Sequence, residues 1–122
     1  MNIKIKRVYD EPMEEDGIRI LVDRIWPRGV SKSSARIDLW LKDIAPSHEL
    51  RRWFNHDPNK WIEFRQRYFN ELDSKRELVE LIIAKCKGSG KNLTLLYGAR
   101  DKEHNNAVVL KEYIDRLILY TF

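Results

Sequence analysis

The stretch "NLTLLYGA", residues 92–99, is apolar at Leu93, Leu95, Leu96, Tyr97 and Ala99 and bounded by polar runs. Its length and composition predict a strand in the middle of a sheet. The segments on either side read as helices. Before it, Ser74 is placed as an N-cap with Glu77 in the capping-box position. The expected apolar face of that helix is Leu78, Leu81, Ile82 and Ala84, and "KGSG", 87–90, closes it with glycine. After it, "RDKEHNN" leads into a last helix, about 105–119, with Ala107, Leu110, Ile114 and Leu117 facing the core. Helix, strand and helix in succession argue for an α/β layer fold.

Towards the N-terminus the same alternation continues. "NIKIKRVY", 2–9, alternates apolar and basic residues, as a half-buried strand does. "DEPMEEDG", 10–17, is a connection, and "IRILVDR", 18–24, a second strand. A link this short allows a hairpin or a parallel pair with an abbreviated crossover. Ser31 caps a short turn through Arg36, and "IDLWLKDIA", 37–45, reads as either a third strand or a short helix before Pro46. Ser47 caps a helix carrying Leu50, Trp53 and Phe54. Asp57 and Pro58 open the next, with Trp61, Phe64, Tyr68 and Leu72 at helical spacing. The expectation is one domain over residues 1–122. It is α/β and three-layer-like, with a small, mostly parallel sheet of about four strands and helices packed on it.

The chain's 122 residues, 43% hydrophobic and 34% charged, suit a globular protein able to bury a core. The formal net charge of +4 spreads 23 cations among 19 acids, which is mild for a nucleic-acid binder. Cys86 is the single cysteine, so no internal disulfide framework and no thiolate metal site is expected. No His/Cys/Asp cluster has metal-ligand spacing. "MNIKIKRVYD" lacks a secretory apolar core, and no run of roughly 18 apolar residues exists to span a membrane. The expected location is cytoplasmic, with no membrane partner. Oligomeric state is not legible.

In open α/β sheets ligands occupy the crevice beyond the carboxyl ends of the strands. After the first strand come Tyr9 and Asp10, with Arg7 near its end as a further ligand-binding candidate. After the second come Asp23, Arg24, Trp26, Arg28 and Lys32. Lys42 and Ser47 follow the third segment, and His104, Asn105 and Asn106 follow the last strand. Arginines at such a rim suit phosphate or carboxylate, because guanidinium offers a rigid bidentate fork. His104 is the candidate acid–base group, since histidine titrates near neutrality. Asp23 would orient an arginine. The plainer alternatives are an ion pair of Asp23 with Arg24 or Arg28, and simple helix capping by Asn105 or Asn106.

Other suggestive features carry less. "GSGK", 88–91, follows a helix and precedes a strand, the reverse of a phosphate loop, so it reads as a turn. Cys86 lies on an apolar helix and reads as packing rather than nucleophile. His56, in "FNHDP", reads as part of a turn and cap. The aromatics of the middle helices read as core.

Together "RVYD", "DGIRILVDRIWPRGVSK", "WLKDIAPS", "LRRWFNHDP" and "EHNNAVVL" closely resemble the YeaO-like branch of the DUF-488 family, small bacterial proteins, from about Ile5 to Leu110. The resemblance implies a single small α/β domain and brings no cofactor or reaction. Its motifs include the rim residues above, together with Pro27, Gly29, Pro46, Arg51, Trp53, Phe54, His56 and Asp57. The first functional expectation is therefore a cationic pocket for a phosphate- or carboxylate-bearing small molecule, with enzymatic activity left open. Arg24, Arg28 and Lys42 would hold the anion. The runner-up is a nucleic-acid module, binding weakly, with Lys4, Lys6, Arg7, Arg28 and Lys32 on phosphates and Trp26 stacking. The third is a protein-interaction domain.

Overall fold

The structure, a computed structural model, describes residues 2–121. Four strands, β1 (Ile3–Arg7), β2 (Ile18–Leu21), β3 (Leu39–Trp40) and β4 (Leu93–Tyr97), form one sheet in the order β1-β4-β2-β3. Every pairing is parallel. β4, buried at every residue, is internal, and its Leu95 aligns with Ile5 on one side and Ile20 on the other. β1 and β2 are therefore not a hairpin. β4 lies between them, so residues 8–17 must carry the chain across the width of one strand and back to the same sheet end.

Four helices cover one face: α1 (His48–Phe54), α2 (Trp61–Asp73), α3 (Arg76–Ser89) and α4 (Asn106–Thr121). Their inward residues, among them Phe54, Phe64, Tyr68, Leu72, Ile82, Leu110 and Ile114, pack on Ile3, Ile20, Val22, Leu93 and Leu95. The opposite face is thinner and is covered by connecting segments. Val8, Leu21 and Leu96 meet Ala35 and Ile37 there, with Trp26, Val30 and Trp40 alongside. Period-two alternation sends neighbouring residues of β2 and β4 to different layers.

That thin face also buries charge. Asp16 and Arg19 are almost fully buried and pair at 2.6 Å, with Lys6 Nζ 3.1 Å from the same carboxylate. Arg19 Nε donates to Ala35 O at 3.0 Å, and Thr94 Oγ1 donates to Asp16 O at 2.8 Å.

Two helix readings need correction. Ser74 is the C-cap of α2, not an N-cap, and α3 begins at Arg76 after Lys75. The buried face of α3 is Val79, Ile82, Ile83 and Cys86, whereas Leu81 and Ala84 are exposed. The later start and the real packing direction shift the face by about one residue. Asp57 and Pro58 open a single 3-10 turn, Pro58–Lys60, that runs into α2. The ambiguous 37–45 segment divides into β3 and a 3-10 turn, Lys42–Ile44. Cys86 is buried, as a packing residue should be. Among the described residues no helix is long and apolar enough to cross a membrane.

Candidate functional site

Val22 N–H donates to Leu96 O, the last rung between β2 and β4, and the chain then leaves the sheet. Beyond this rung, at the strand carboxyl ends, lies a cleft of about 200 Å³. The exit of β2 contributes Asp23, Arg24 and Ile25 to its lining. The turn before α1 gives Ala45 and Pro46. α1 and its exit give Arg51, Phe54 and His56, and α2 gives Phe64. Ala99, His104, Asn105 and Asn106 come from the segment after β4.

Asp23 anchors the centre. Its Oδ2 accepts the Gly98 N–H at 2.8 Å, and its backbone carbonyl accepts Trp40 Nε1 at 2.7 Å. Burial pushes its pKa above the ordinary carboxylate value, against the opposing pull of the Gly98 N–H, the Asn106 amide and the His56 charge. Gly98 lets the chain pass close to this group: a Cβ there would lie 3.1 Å from Asp23 Oδ2, a tight contact.

Arg24 turns away from its neighbour. Its Nε donates to Pro46 O at 3.1 Å and its Nη2 to Ala45 O at 3.2 Å, which pins the guanidinium to the turn before α1. Nη1 lies 4.0 Å from Asp43, an ion-pair distance too long for a hydrogen bond. Beneath, the fully buried Tyr68 donates to Ile44 O at 2.7 Å. Burial, and then the Asp23 charge, hold its pKa well above the usual phenol value.

On the opposite wall, Asp101 organises the start of α4. Its Oδ1 accepts the N–H of Glu103 and His104, and its Oδ2 lies 2.9 Å from His104 Nδ1. These backbone donors and the imidazole hold the Asp101 carboxyl below its ordinary pKa. The His104 ring also meets Trp61 edge-on at 5.1 Å. With Nδ1 engaged, Nε2 is the ring nitrogen left for a ligand. Asn105 is buried and structural: its Oδ1 accepts Val108 N–H at 3.1 Å and its Nδ2 donates to Asp101 O at 2.9 Å. Asn106 Nδ2 donates to Val22 O at 3.0 Å, tying the α4 start to the end of β2.

The fold thus brings Asp23, Arg24, His104, Asn105 and Asn106 to one cleft. The other expected residues lie outside it. Arg7 donates to Ala99 O and stacks on Tyr9, whose hydroxyl donates to Arg28 O at 2.9 Å. Arg28 and Lys32 are exposed. Trp26 donates to Val30 O and packs edge-on against Trp40, and Lys42 lies over the Trp40 ring. Ser47 caps α1, accepting Leu50 N–H and donating to Glu71.

Arg51 and His56 are cleft residues that position along the strands did not reveal, because they arrive on α1 and its exit. The signal for them was the motif "LRRWFNHDP". His56 belongs both to the turn and to the cleft: Asn55 and His56 have φ of 46° and 55°, and this left-handed pair ends α1. Among the described residues no group of three or more His, Cys, Asp or Glu could hold a metal ion.

A wholly parallel sheet with helices on one face and a polar-rimmed crevice at its carboxyl edge defines a small α/β domain of the open-sheet class. More narrowly, the chain belongs to the family DUF488-N3i, the inactive DUF488-N3 subclade, which it matches over residues 2–119. It is 41% identical over 117 residues to the uncharacterized protein YeaO of Escherichia coli (strain K12), covering 96% of this chain and 100% of the relative. An uncharacterized protein of Mycobacterium tuberculosis (strain ATCC 25618 / H37Rv) is 39% identical over 114 residues, 93% of either chain. No solved structure matches.

Proposed function

We propose that the cleft binds a small carboxylate- or phosphate-bearing molecule without turning it over. The observation that carries this is the convergence of Arg24, Arg51, His56 and His104 on one crevice walled by Ile25, Phe54, Phe64 and Ala99. Arg24 is already immobilised by two main-chain carbonyls, so little side-chain entropy remains to be lost when its Nη1 meets an anion. Among the described residues Arg51 makes no ion pair or side-chain hydrogen bond, and it is available to the same ligand. His104 offers Nε2. Apolar walls with a few convergent polar groups are the ordinary make-up of a small-molecule site. The description of the family as an inactive subclade supports binding rather than catalysis.

The nucleic-acid reading has less support. Lys4 Nζ donates to Glu15 O and Lys6 pairs with Asp16, so both are engaged within the chain. Trp26 is packed against Trp40 instead of presenting a free face.

The test is calorimetric titration with simple phosphate esters and carboxylates. Arg51→Ala should weaken anion binding about tenfold, the scale of a lost charge-assisted hydrogen bond, while Lys4→Ala leaves it unaltered. Oligonucleotide binding that persists at about 0.15 M salt, with a steep salt slope, and that both substitutions reduce would establish the nucleic-acid reading instead.

A further inference from the structure

The cleft is not uniformly cationic. Asp23, on its floor, is a carboxylate with no cation of its own: among the described residues no lysine or arginine lies within ion-pair distance of it. The hydrogen bond its carboxylate accepts inside the chain comes from a neutral amide, the Gly98 N–H, and the other groups that act on it are the Asn106 amide and His56. Arg24, one residue along, is directed to Ala45 O and Pro46 O. A half-buried carboxylate left in this state opposes a purely anionic guest and complements a cationic one. Arg24 and Arg51 line the same space and complement an anion.

We propose that the cleft takes a small zwitterion, one molecule carrying an ammonium group and a carboxylate or phosphate, with Asp23 receiving the ammonium and Arg24 with Arg51 the anion. This rests on the anion-binding reading and narrows it. The walls supplied by Ile25, Phe54 and Phe64 suit a short aliphatic body between the two charges, and about 200 Å³ limits the guest to the size of an amino acid or an amino-alkyl phosphate. Each charge meets its opposite in a partly desolvated site, where such pairs count for more than in water. A guest with one charge leaves either Asp23 or the arginines without a partner.

The experiment is amide NMR titration of the full chain, with Ile25, Ala99 and His104 as reporters of the cleft. The probes are L-leucine and phosphoethanolamine, compared with the single-charge analogues 4-methylpentanoate, ethyl phosphate and isoamylamine. The zwitterions should bind about tenfold tighter than the matching anions. Asp23→Asn should remove that margin and tighten the anions a few-fold, because the repulsion is gone. Gly98→Ala keeps every charge but sets a methyl 3.1 Å from Asp23 Oδ2, so it should weaken the zwitterions more than the anions. Anions that bind as tightly as the zwitterions, with Arg51→Ala reducing both, overturn this inference and leave the anion-binding reading standing. Absence of any perturbation at millimolar probe overturns both.

Discussion

Asp23 illustrates a residue kept at a cost to folding. Burial raises its pKa, so the folded chain prefers the proton more than the unfolded chain does. The stability linked to that proton is full below the ordinary value of 3.8 and is lost as pH rises through the higher folded value. At neutral pH the charged form is therefore a burden. Asp23→Asn retains an oxygen for the Gly98 N–H and should raise stability by about 1 kcal/mol at pH 7, the usual gain when a functional polar group is relaxed. The gain should vanish near pH 3. Urea unfolding of both proteins at the two pH values checks it, and an equal or lower midpoint for the variant at pH 7 would sink the claim. Gly17 is the converse, a residue set by sterics alone. Its φ is 66°, and a Cβ would fall 1.9 Å from Asn92 O, the same oxygen that accepts the Ile18 N–H as β2 begins. Gly17→Ala should cost at least 2 to 3 kcal/mol, by about the size of other backbone-incompatible substitutions, read as a drop in the urea midpoint. At this scale the sequence was informative about which groups carry charge and poor on where they end. Arg24 and Arg28 look equivalent in the sequence. Only the turn at Ala45–Pro46 selects Arg24, by offering two carbonyls to it.

Local signals that depend on one turn of chain read well at the level of elements, and those that depend on packing direction read less well. Ser47 is the cap of α1 as its position before "HELRRWF" implies, and the largely apolar run of β4 is internal. Ser74 and Glu77 have capping-box spacing, but Ser74 is taken up in closing α2, whose Glu71 and Leu72 carbonyls accept its N–H. One residue cannot both close α2 and cap α3, and the one-residue offset rotates the buried face of α3. Asn105 shows how an element and the site share a residue. Its side chain caps α4 through Val108 N–H and holds Asp101 O, and Asp101 in turn orients His104. Asn105→Ala should cost about 1 to 2 kcal/mol through the lost cap and release His104 from its fixed orientation. Asn105→Ser keeps a neutral capping oxygen and gives up the donation to Asp101 O, so it should cost less than the alanine change. Thermal unfolding ranks the three proteins. If alanine and serine prove equally destabilising, capping is not the main role.

For the whole molecule, topology is what the one-dimensional reading left open. The short 8–17 link permitted a hairpin, and nothing local to it says otherwise. The decision lies in β4, almost a chain-length away, which inserts between β1 and β2 because its two apolar sides need partners on both edges and both faces. The helices then cover one face, and the other must be closed by loops. The Asp16–Arg19–Lys6 cluster does this. It joins β1, the link, β2 and, through Ala35 O and Thr94, the covering loop and β4. Burial alone would raise the Asp16 pKa, but the Met13 N–H, Lys6 and Arg19 together bring it below the ordinary 3.8. Its contribution is present above that value and is lost as pH falls through the lower folded one. Removing the carboxylate strands Arg19, already with Nη2 buried and unpartnered, as an uncompensated interior charge. Asp16→Ala should therefore cost about 3 to 5 kcal/mol at pH 7, and the difference from wild type should shrink below pH 3.8. Adding Arg19→Met to Asp16→Ala should recover a substantial part, since an apolar side chain needs no counter-charge there. Urea unfolding of the three proteins at pH 7 and at low pH decides it. If the double variant is no more stable than Asp16→Ala, the cluster acts through Lys6 or through packing of the link rather than through the stranded arginine.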